Sequence, residues 1–445
     1  MQYAIQFKRS VFLLCLFAIS FVNAQEKKWT LVECVNYALE NNISVKQSTL
    51  DLETTDVDIL SAKGNFLPSL SASGSYSSNT GANQDPTTNT IINQTFASFS
   101  ANVGGGVNLF SGLSAWKNFQ RAKLNKIASQ YALDGMKDDV VLMVANAYLQ
   151  ILFNKEQLKV LKAQNQLTKE NIERTQELIN AGSLPAGDIY ELQATDASQE
   201  QAIISSENAL LISRVGLAQT LLVKDYMNFD IADEEFDVPE DADVLTKSPQ
   251  QISEKAKEVL NTLKIAEANL DVAEKDVEVA RSGYYPSLSA FANYNTRWSE
   301  SPYFSFREQL YLFDGLSVGL QLSVPILNGF NTRAQVQRSK INVLRAEYTL
   351  EQSELDLEKN VYQAYMDASN ARKLYEASLK TLEARQQAYN FSTERFNVGL
   401  LNSYDFNQSK TEFESAQSDV VQNKYDYIFK LKVLEFYFGI PITAN

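Results

Sequence analysis

Two segments of this 445-residue chain repeat each other at a nearly constant distance. The fifteen residues from Ala62 to Tyr76 align with those from Ala280 to Tyr294 at a shift of 218, and seven of the fifteen pairs are identical. A second match, shifted by 217, pairs Glu177, Asn180, Gly182, Leu184 and Asp188 with Glu394, Asn397, Gly399, Leu401 and Asp405. Ala147-Tyr148 and Ala364-Tyr365 share that second shift. Matches lying over 100 residues apart that keep almost one offset mark a duplicated unit of about 200 residues. Whatever this chain folds into must use the same elements twice.

Each unit presents those elements in one order. A first helix opens with Thr30 as N-cap and an apolar stripe of Leu31, Cys34, Val35, Ala38 and Leu39, and its counterpart is expected over about 250–282. Two strand-like stretches around a polar loop follow. From about 112 to 181, and again from 329 to 398, there is no proline and little glycine, which predicts helices of about 100 Å at 1.5 Å per residue. Glycine-containing breaks at 182–187 and 399–403 precede a returning helix in each unit. Helices this long need a partner along their length. Ala364, Ala368, Ala371, Tyr375, Ser378 and Leu382 keep the 4-3-4-3-4 spacing of a coiled-coil seam. Leu158, Leu161, Asn165, Thr168, Ile172, Thr175 and Ile179 keep it with polar interruptions, which suggest a face meeting water. The acidic stretch 229–250 between the units reads as a solvated linker.

The strand stretches alternate in a particular sense. Leu70, Ala72, Gly74 and Tyr76 oppose Ser69, Ser71, Ser73 and Ser75, and Leu316, Val318, Leu320, Leu322 and Val324 oppose Ser317, Gly319, Gln321 and Ser323. Between them, Ala101, Val103, Gly105, Val107 and Leu109 alternate with small polar residues and glycines, and the run Gly104-Gly105-Gly106 suggests a bend. Stretches of about ten residues suit a tilted bilayer-crossing strand, and small uncharged residues suit a water-filled barrel interior. Trp298, Tyr303, Phe304, Phe306, Tyr311 and Phe313 would serve as an interfacial girdle. Four strands cannot close a barrel, and an open sheet edge in lipid leaves costly unpaired backbone groups. Several copies must then share one: two would give eight strands, three would give twelve and room for a pore.

Composition removes many rivals. Histidine is absent, which excludes imidazole bases, Ser-His-Asp and Cys-His nucleophiles and the commonest zinc ligand. With 54 acidic against 40 basic residues, nucleic-acid binding is disfavoured. Residues 1–24 read as a signal peptide, with Lys8 and Arg9 before an apolar run and Val22-Asn23-Ala24 as cleavage site. Only Cys34 lies beyond it, so no intrachain disulfide is expected. The division expected is a signal peptide (1–24), a first structural repeat (25–235), an acidic linker (236–249) and a second structural repeat (250–445).

With the duplication in view, Trp29-Thr-Leu-Val-Glu-Cys-Val-Asn-Tyr-Ala-Leu-Glu-Asn-Asn42, the Pro68-Ser-Leu and Pro286-Ser-Leu strand starts, Leu327-Asn328-Gly329, and the turns Asn180-Ala-Gly-Ser-Leu184 and Asn397-Val-Gly-Leu-Leu401 carry a resemblance. The chain resembles the TolC-like outer-membrane efflux proteins over essentially its whole length. The resemblance implies an α+β membrane protein: a homotrimer whose outer-membrane β-barrel, four strands per chain, is continuous with a long antiparallel α-helical coiled-coil tunnel in the periplasm. It implies an exit duct for efflux or type I secretion, embedded in outer-membrane lipid and docked by a periplasmic adaptor (membrane fusion) protein and an inner-membrane transporter. No catalysis, cofactor, resident metal or nucleic acid is implied. Ala181, Gly182, Ser183 and Leu184, with Val398, Gly399, Leu400 and Leu401, fall on the family's adaptor-docking tip. Asp405 falls on an acidic entrance-gate position, with Asp188 its first-repeat equivalent; both also suit a helix N-terminus. The family's second acidic position is Gln408 here, and a basic residue that follows the turn in some members is Leu401, so the latch differs. The competing reading of the residues is a surface coiled-coil scaffold or adhesin, which explains the helices and leaves the strands unexplained.

Overall fold

The computed structural model describes residues 28–84, 89–234, 236, 238, 243–300 and 303–442; the expected signal peptide lies outside them. The chain divides into two compact units, each drawn from both halves of the sequence. Among the described residues, one lies within 28–46, 136–260 and 356–442, the other within 47–135 and 261–355.

In the helical unit, β1 (Lys28–Trp29) pairs in parallel with β4 (Asp230–Ile231). Helix α1 (Leu31–Asn41) starts at Thr30, whose hydroxyl accepts from the Glu33 amide while the Glu33 carboxylate accepts from the Thr30 amide. This reciprocal cap satisfies two of the amides every helix start leaves orphaned. Helix α2 (Ile43–Gly64) follows after a break at Asn42 and from residue 47 belongs to the second unit. Helices α3 (Ser114–Asn180) and α9 (Asn331–Asn397) are each 67 residues, and each supplies residues to both units. Their returning partners are α4 (Asp188–Leu221) and α10 (Ser403–Phe438); α5 (Asp243–Thr246) and α6 (Pro249–Val259) complete the unit. Of the seam read from 4-3-4-3-4 spacing, Ala364, Ala368, Ala371 and Ser378 are buried and Tyr375 and Leu382 half-buried. The three alanines cluster with Val361 of α9, with Tyr427, Leu431 and Leu434 of α10 and with Ile252 and Ala256 of α6. Alanines at the seam let helix backbones approach closely.

Two readings are corrected here. The first part of the acidic stretch is no solvated linker, because Phe229 and Ile231 are buried. The Lys155 ammonium lies 3.0 Å from Asp230 and 2.8 Å from Asp233 and donates to the Ile231 carbonyl. The Arg214 guanidinium donates to the Phe229 carbonyl, and Lys28 pairs with Asp233 at 2.7 Å. The charges serve as fasteners for two apolar anchors. Likewise, the polar interruptions Asn165, Thr168 and Thr175 of α3 face a dry seam rather than water.

The second unit carries the sheet, in the order β2 (Ser69–Gln84), β3 (Ile91–Ser111), β5 (Ser287–Ser299), β6 (Gly315–Ser323), antiparallel throughout. Strands β2 and β3, at 16 and 21 residues, outrun the expected ten. Their polar ends stay paired through hydroxyl contacts, Ser77 to Ser98 at 2.9 Å and Thr80 to Thr95 at 2.8 Å. The glycine run sits where chains crowd: a Cβ on Gly105 would lie 2.3 Å from the Ser69 carbonyl oxygen. The register irregularity falls just beyond, at Asn108/Phe110. Helix α7 (Asn261–Arg281) leads into β5, and the short α8 (Phe306–Leu312) separates β5 from β6. The expected helix over 250–282 is thus two, α6 and α7, broken at the extended Leu260, as α1 and α2 are broken at Asn42.

Candidate membrane face and helical tips

The register fixes the composition of each sheet face. Ser71, Ser73, Ser75 and Ser77 of β2 oppose Gly104, Asn102, Ser100 and Ser98 of β3, which oppose Asn293, Asn295, Arg297 and Ser299 of β5. The other face carries Leu70, Tyr76 and Val103, then Leu316, Val318, Leu320 and Leu322 of β6. That apolar face is bare: Leu70 is 79% exposed, Leu316 73% and Val318 72%. The outer edges of β2 and β6 have no strand partner among the described residues. Burying such a face in water-excluding surroundings is favourable by about 25 cal/mol per Å². Among the described residues no helix is long and apolar enough to cross a membrane.

The aromatic cluster divides between the faces. The Phe306 ring meets Phe99 at 5.7 Å and Trp298 at 5.4 Å, whereas the Arg297 guanidinium lies 5.3 Å from the centre of the Phe313 ring. Tyr303 and Tyr311 are exposed.

In the helical unit, the two turns close in the same way. Gly182 (φ +75°) donates to the Ile179 carbonyl and Ser183 to Leu178; Gly399 (φ +73°) donates to Phe396 and Leu400 to Arg395. These are paired 5→2 and 6→1 bonds around a left-handed glycine, which satisfy carbonyls that a helix end leaves free. Ala181, Gly182, Ser183, Val398, Gly399 and Leu400 are exposed, and Leu184 and Leu401 are half-buried. Val398 and Leu400 thus present bare apolar side chains at the second turn. Behind it, Phe396 stacks on Phe406 at 4.5 Å and Tyr389 on Phe413 at 5.3 Å, tying α9 to α10.

Asp188 is the first residue of α4 and Asp405 the third of α10. The Asp405 amide donates to the Asn402 side-chain oxygen at 2.8 Å, and the Asn402 amide nitrogen donates to the Asp405 carboxylate at 2.9 Å. Asp405 therefore takes part in a helix cap while its side chain stays exposed, and Gln408 is exposed one turn on. Among the described residues no hydrogen bond or ion pair joins Asp188 to Asp405.

Sequence reasoning missed a buried polar seam where α10 meets α3 and α4. Lys410, only 1% exposed, donates to the Thr168 hydroxyl and lies 3.5 Å from the Glu414 carboxylate. Gln199 donates to Glu414 at 3.0 Å, Gln164 donates to the Glu414 carbonyl, and Asn165 donates to Asp196. Burial draws the Lys410 ammonium down from its ordinary pKa and pushes the Glu414 carboxyl up, each opposed by its partner's charge. The visible signal was the i, i+4 pair of Lys410 and Glu414, set among Phe406, Asn407 and Phe413 on one helix. Tyr148 was matched in the repeat alignment without a role. It is buried, within 3.1 Å of both the Ala232 carbonyl and Glu234, and burial followed by the Glu234 charge raises its phenol pKa.

Comparison with known proteins places this geometry. The family model described as outer membrane efflux protein matches the chain twice, over residues 34–221 and 252–439. The outer membrane protein TolC of Vibrio cholerae is 23% identical over 408 residues, covering 90% of this chain and 88% of its own. The alkaline protease secretion protein AprF of Pseudomonas aeruginosa is 22% identical, covering 74% of this chain and 68% of its own. Among solved structures, the outer membrane protein VceC of Vibrio cholerae superposes with a TM-score of 0.76 at 12% identity, covering 93% of this chain and 96% of its own. The Campylobacter jejuni CmeC outer membrane channel gives 0.75 at 16%, covering 93% and 87%. The relatives are channel or duct proteins rather than enzymes.

Proposed function

Because the chain belongs to the outer membrane efflux protein family, we infer the particulars of its work from the sheet and the two hairpins. It is an outer-membrane protein and an exit duct of efflux or type I secretion systems. It carries out no covalent chemistry. Three copies share one twelve-strand barrel, with the apolar sheet face in lipid and the serine face lining water, and the long helices form a tunnel in the periplasm. The observation that carries this reading is the four-strand sheet with a bare apolar face and two outer edges that have no strand partner among the described residues. An isolated sheet of this kind is unstable in lipid, because each unpaired backbone group costs several kcal/mol, and joining edges between copies removes that cost. A scaffold built of coiled coils alone would have no use for such a face.

The chain is read as two repeats, 25–235 and 250–445, joined by 236–249 and preceded by a signal peptide at 1–24; the two family matches support the duplication. The tips Ala181–Leu184 and Val398–Leu401 dock a periplasmic adaptor, which links the duct to an inner-membrane transporter. The exposed apolar Val398 and Leu400, on a turn fixed by its glycine, suit such a contact. Three copies of Asp405, with Asp188 nearby in sequence role, narrow the entrance. Like charges around a threefold axis repel and favour a hydrated cation between them.

Reconstitution of the detergent-extracted protein into planar bilayers tests the reading. Stepwise conductance and a heat-modifiable trimer on SDS gels are expected; a water-soluble monomer without conductance would refute it. In the same bilayers Asp405→Ala should raise conductance or relieve block by multivalent cations, and an unchanged response removes Asp405 from the entrance.

A further inference from the structure

The four sheet strands contain one side chain charged at neutral pH, Arg297. Strand register sets it on the hydroxyl face, directly across from Ser100, which itself faces Ser75 at a hydroxyl separation of 2.8 Å. One pair further along, Ser77 and Ser98 meet at 2.9 Å and oppose Ser299. The guanidinium spreads over the Phe313 ring, and together with Phe96 and these serines it borders a hollow of about 250 Å³. Among the described residues no carboxylate lies within ion-pair distance of Arg297. A lone charge on a strand surface otherwise made of uncharged residues, chiefly Ser, Asn and Gly with Phe96, Phe291 and Gln321 among them, is a functional feature by default, because lumen side chains of a barrel tune what passes.

We propose that Arg297, Phe313 and the serines beside them form a weak binding station for small organic anions with an aromatic or apolar body. The inference rests on the reading that the serine face lines a water-filled pore, and it adds the chemical class recognised there. A guanidinium is planar, weakly hydrated and presents paired donors that match a carboxylate or sulfonate. The serine hydroxyls add further donors, and the faces of Phe96 and Phe313 offer apolar wall to the body of the ligand. The hollow is smaller than a drug-sized pocket, so it accommodates a single-ring or two-ring anion. Binding must stay weak, since conduction needs a site that releases as readily as it captures.

The test is single-channel recording of the reconstituted full chain with 2-naphthalenesulfonate as the probe and sulfate as the anion lacking an apolar body. In the unsubstituted protein the aryl sulfonate should reduce current at millimolar concentration. Arg297→Gln should weaken that block roughly two- to fivefold, the range of an exposed charge pair, and shift the reversal potential in a salt gradient towards cation preference. Arg297→Lys should keep part of the block. Phe313→Leu should weaken block by the aryl sulfonate while leaving any effect of sulfate unchanged, which separates the aromatic wall from simple charge and gives a second readout should one variant fail to assemble. Pores that conduct but show no block, or equal block in the Arg297→Gln and unsubstituted proteins, overturn the station and leave the duct standing. Absence of any pore overturns both.

Discussion

Lys410→Ala probes the packing that joins the second hairpin to the first. In the folded chain the Lys410 ammonium is sealed in the seam, with the Thr168 hydroxyl and the Glu414 carboxylate as its partners. Glu414 is itself buried, and its remaining side-chain partner is the neutral amide of Gln199. Removing the ammonium leaves that carboxylate in a dry seam with no cation, a change that costs about 3–5 kcal/mol when one member of a buried pair is deleted. If the seam opens locally, its opening free energy falls by that amount. Amide hydrogen exchange should then accelerate by about two to three and a half orders of magnitude, at about 1.4 kcal/mol per decade. The assay is exchange on the detergent-solubilised protein, read over residues 164–175, 192–200 and 406–417. The control is Lys410→Met with Glu414→Leu, which removes both charges at similar volume and should restore protection to near the original. Unchanged exchange in Lys410→Ala, or a double variant as labile as the single one, would refute the reasoning.

Other outcomes follow from single geometries. Gly182→Ala and Gly399→Ala should each cost about 1–2 kcal/mol through backbone strain alone, since both glycines have positive φ and a Cβ there would meet nothing within 4 Å; exchange of the turn amides reads this. Gly105→Val should abolish the heat-modifiable folded form on SDS gels, because its Cβ falls 2.3 Å from the Ser69 carbonyl oxygen; Gly106→Ala, at 3.0 Å from the Ala290 oxygen, should be milder. Hydrogen bonds from Lys155 and then Lys28 hold the Asp233 carboxyl below its usual pKa. A depressed folded pKa gives stability that is complete above the unfolded value near 4 and is lost as pH falls through the folded one. Exchange of the Ala232 amide, which donates to the Trp29 carbonyl, should therefore quicken below about pH 4 in the original protein and change less with pH in Asp233→Asn.

What the sequence reveals depends on whether the determining interactions are local or periodic. The 67-residue helices are legible because nothing in 112–181 or 329–398 breaks them and because Gly182 and Gly399 supply left-handed ends. Thr30 is legible as a cap because Glu33 follows at the spacing of a reciprocal box. Asn165 and Thr168 mislead for the opposite reason: their partners, Asp196, Gln199 and Lys410, are 31 to 242 residues away. A polar seam residue whose bonds are distant looks the same in sequence as one facing water. Asp230 and Asp233 mislead alike, since an acidic run gives no hint that Lys155 and Arg214 will clasp it. At the second turn, Asp405 is the residue the sequence offers for a gate, and in the structure Asn402 engages it. Any entrance role is therefore an additional use of a capping carboxylate.

The repeats are nearly equal in their helices and unequal in their strands, and the inequality has a chemical remedy. Strand β6 pairs with β5 only over Ser287–Asn295, which leaves the far end of β5 without a strand on that side. Helix α8 takes the place of one. The Gln309 amide accepts from the Ser299 backbone at 3.0 Å and donates back to its carbonyl at 2.8 Å, reproducing the two bonds a paired strand residue would make. Thr296 donates to the Leu310 carbonyl, so the side chains of one segment satisfy the backbone of the other. Unpaired strand edges in lipid are costly, and an edge sealed by side chains needs no further strand. The free edge of β2, by contrast, runs for sixteen residues against nine in β6. In a barrel shared between copies, β6 of one chain can therefore meet only part of the next chain's β2. On the proposed shared barrel, the rest of that edge would face α8 or rise clear of the lipid, and the length of β6 would set the height of the wall at each junction.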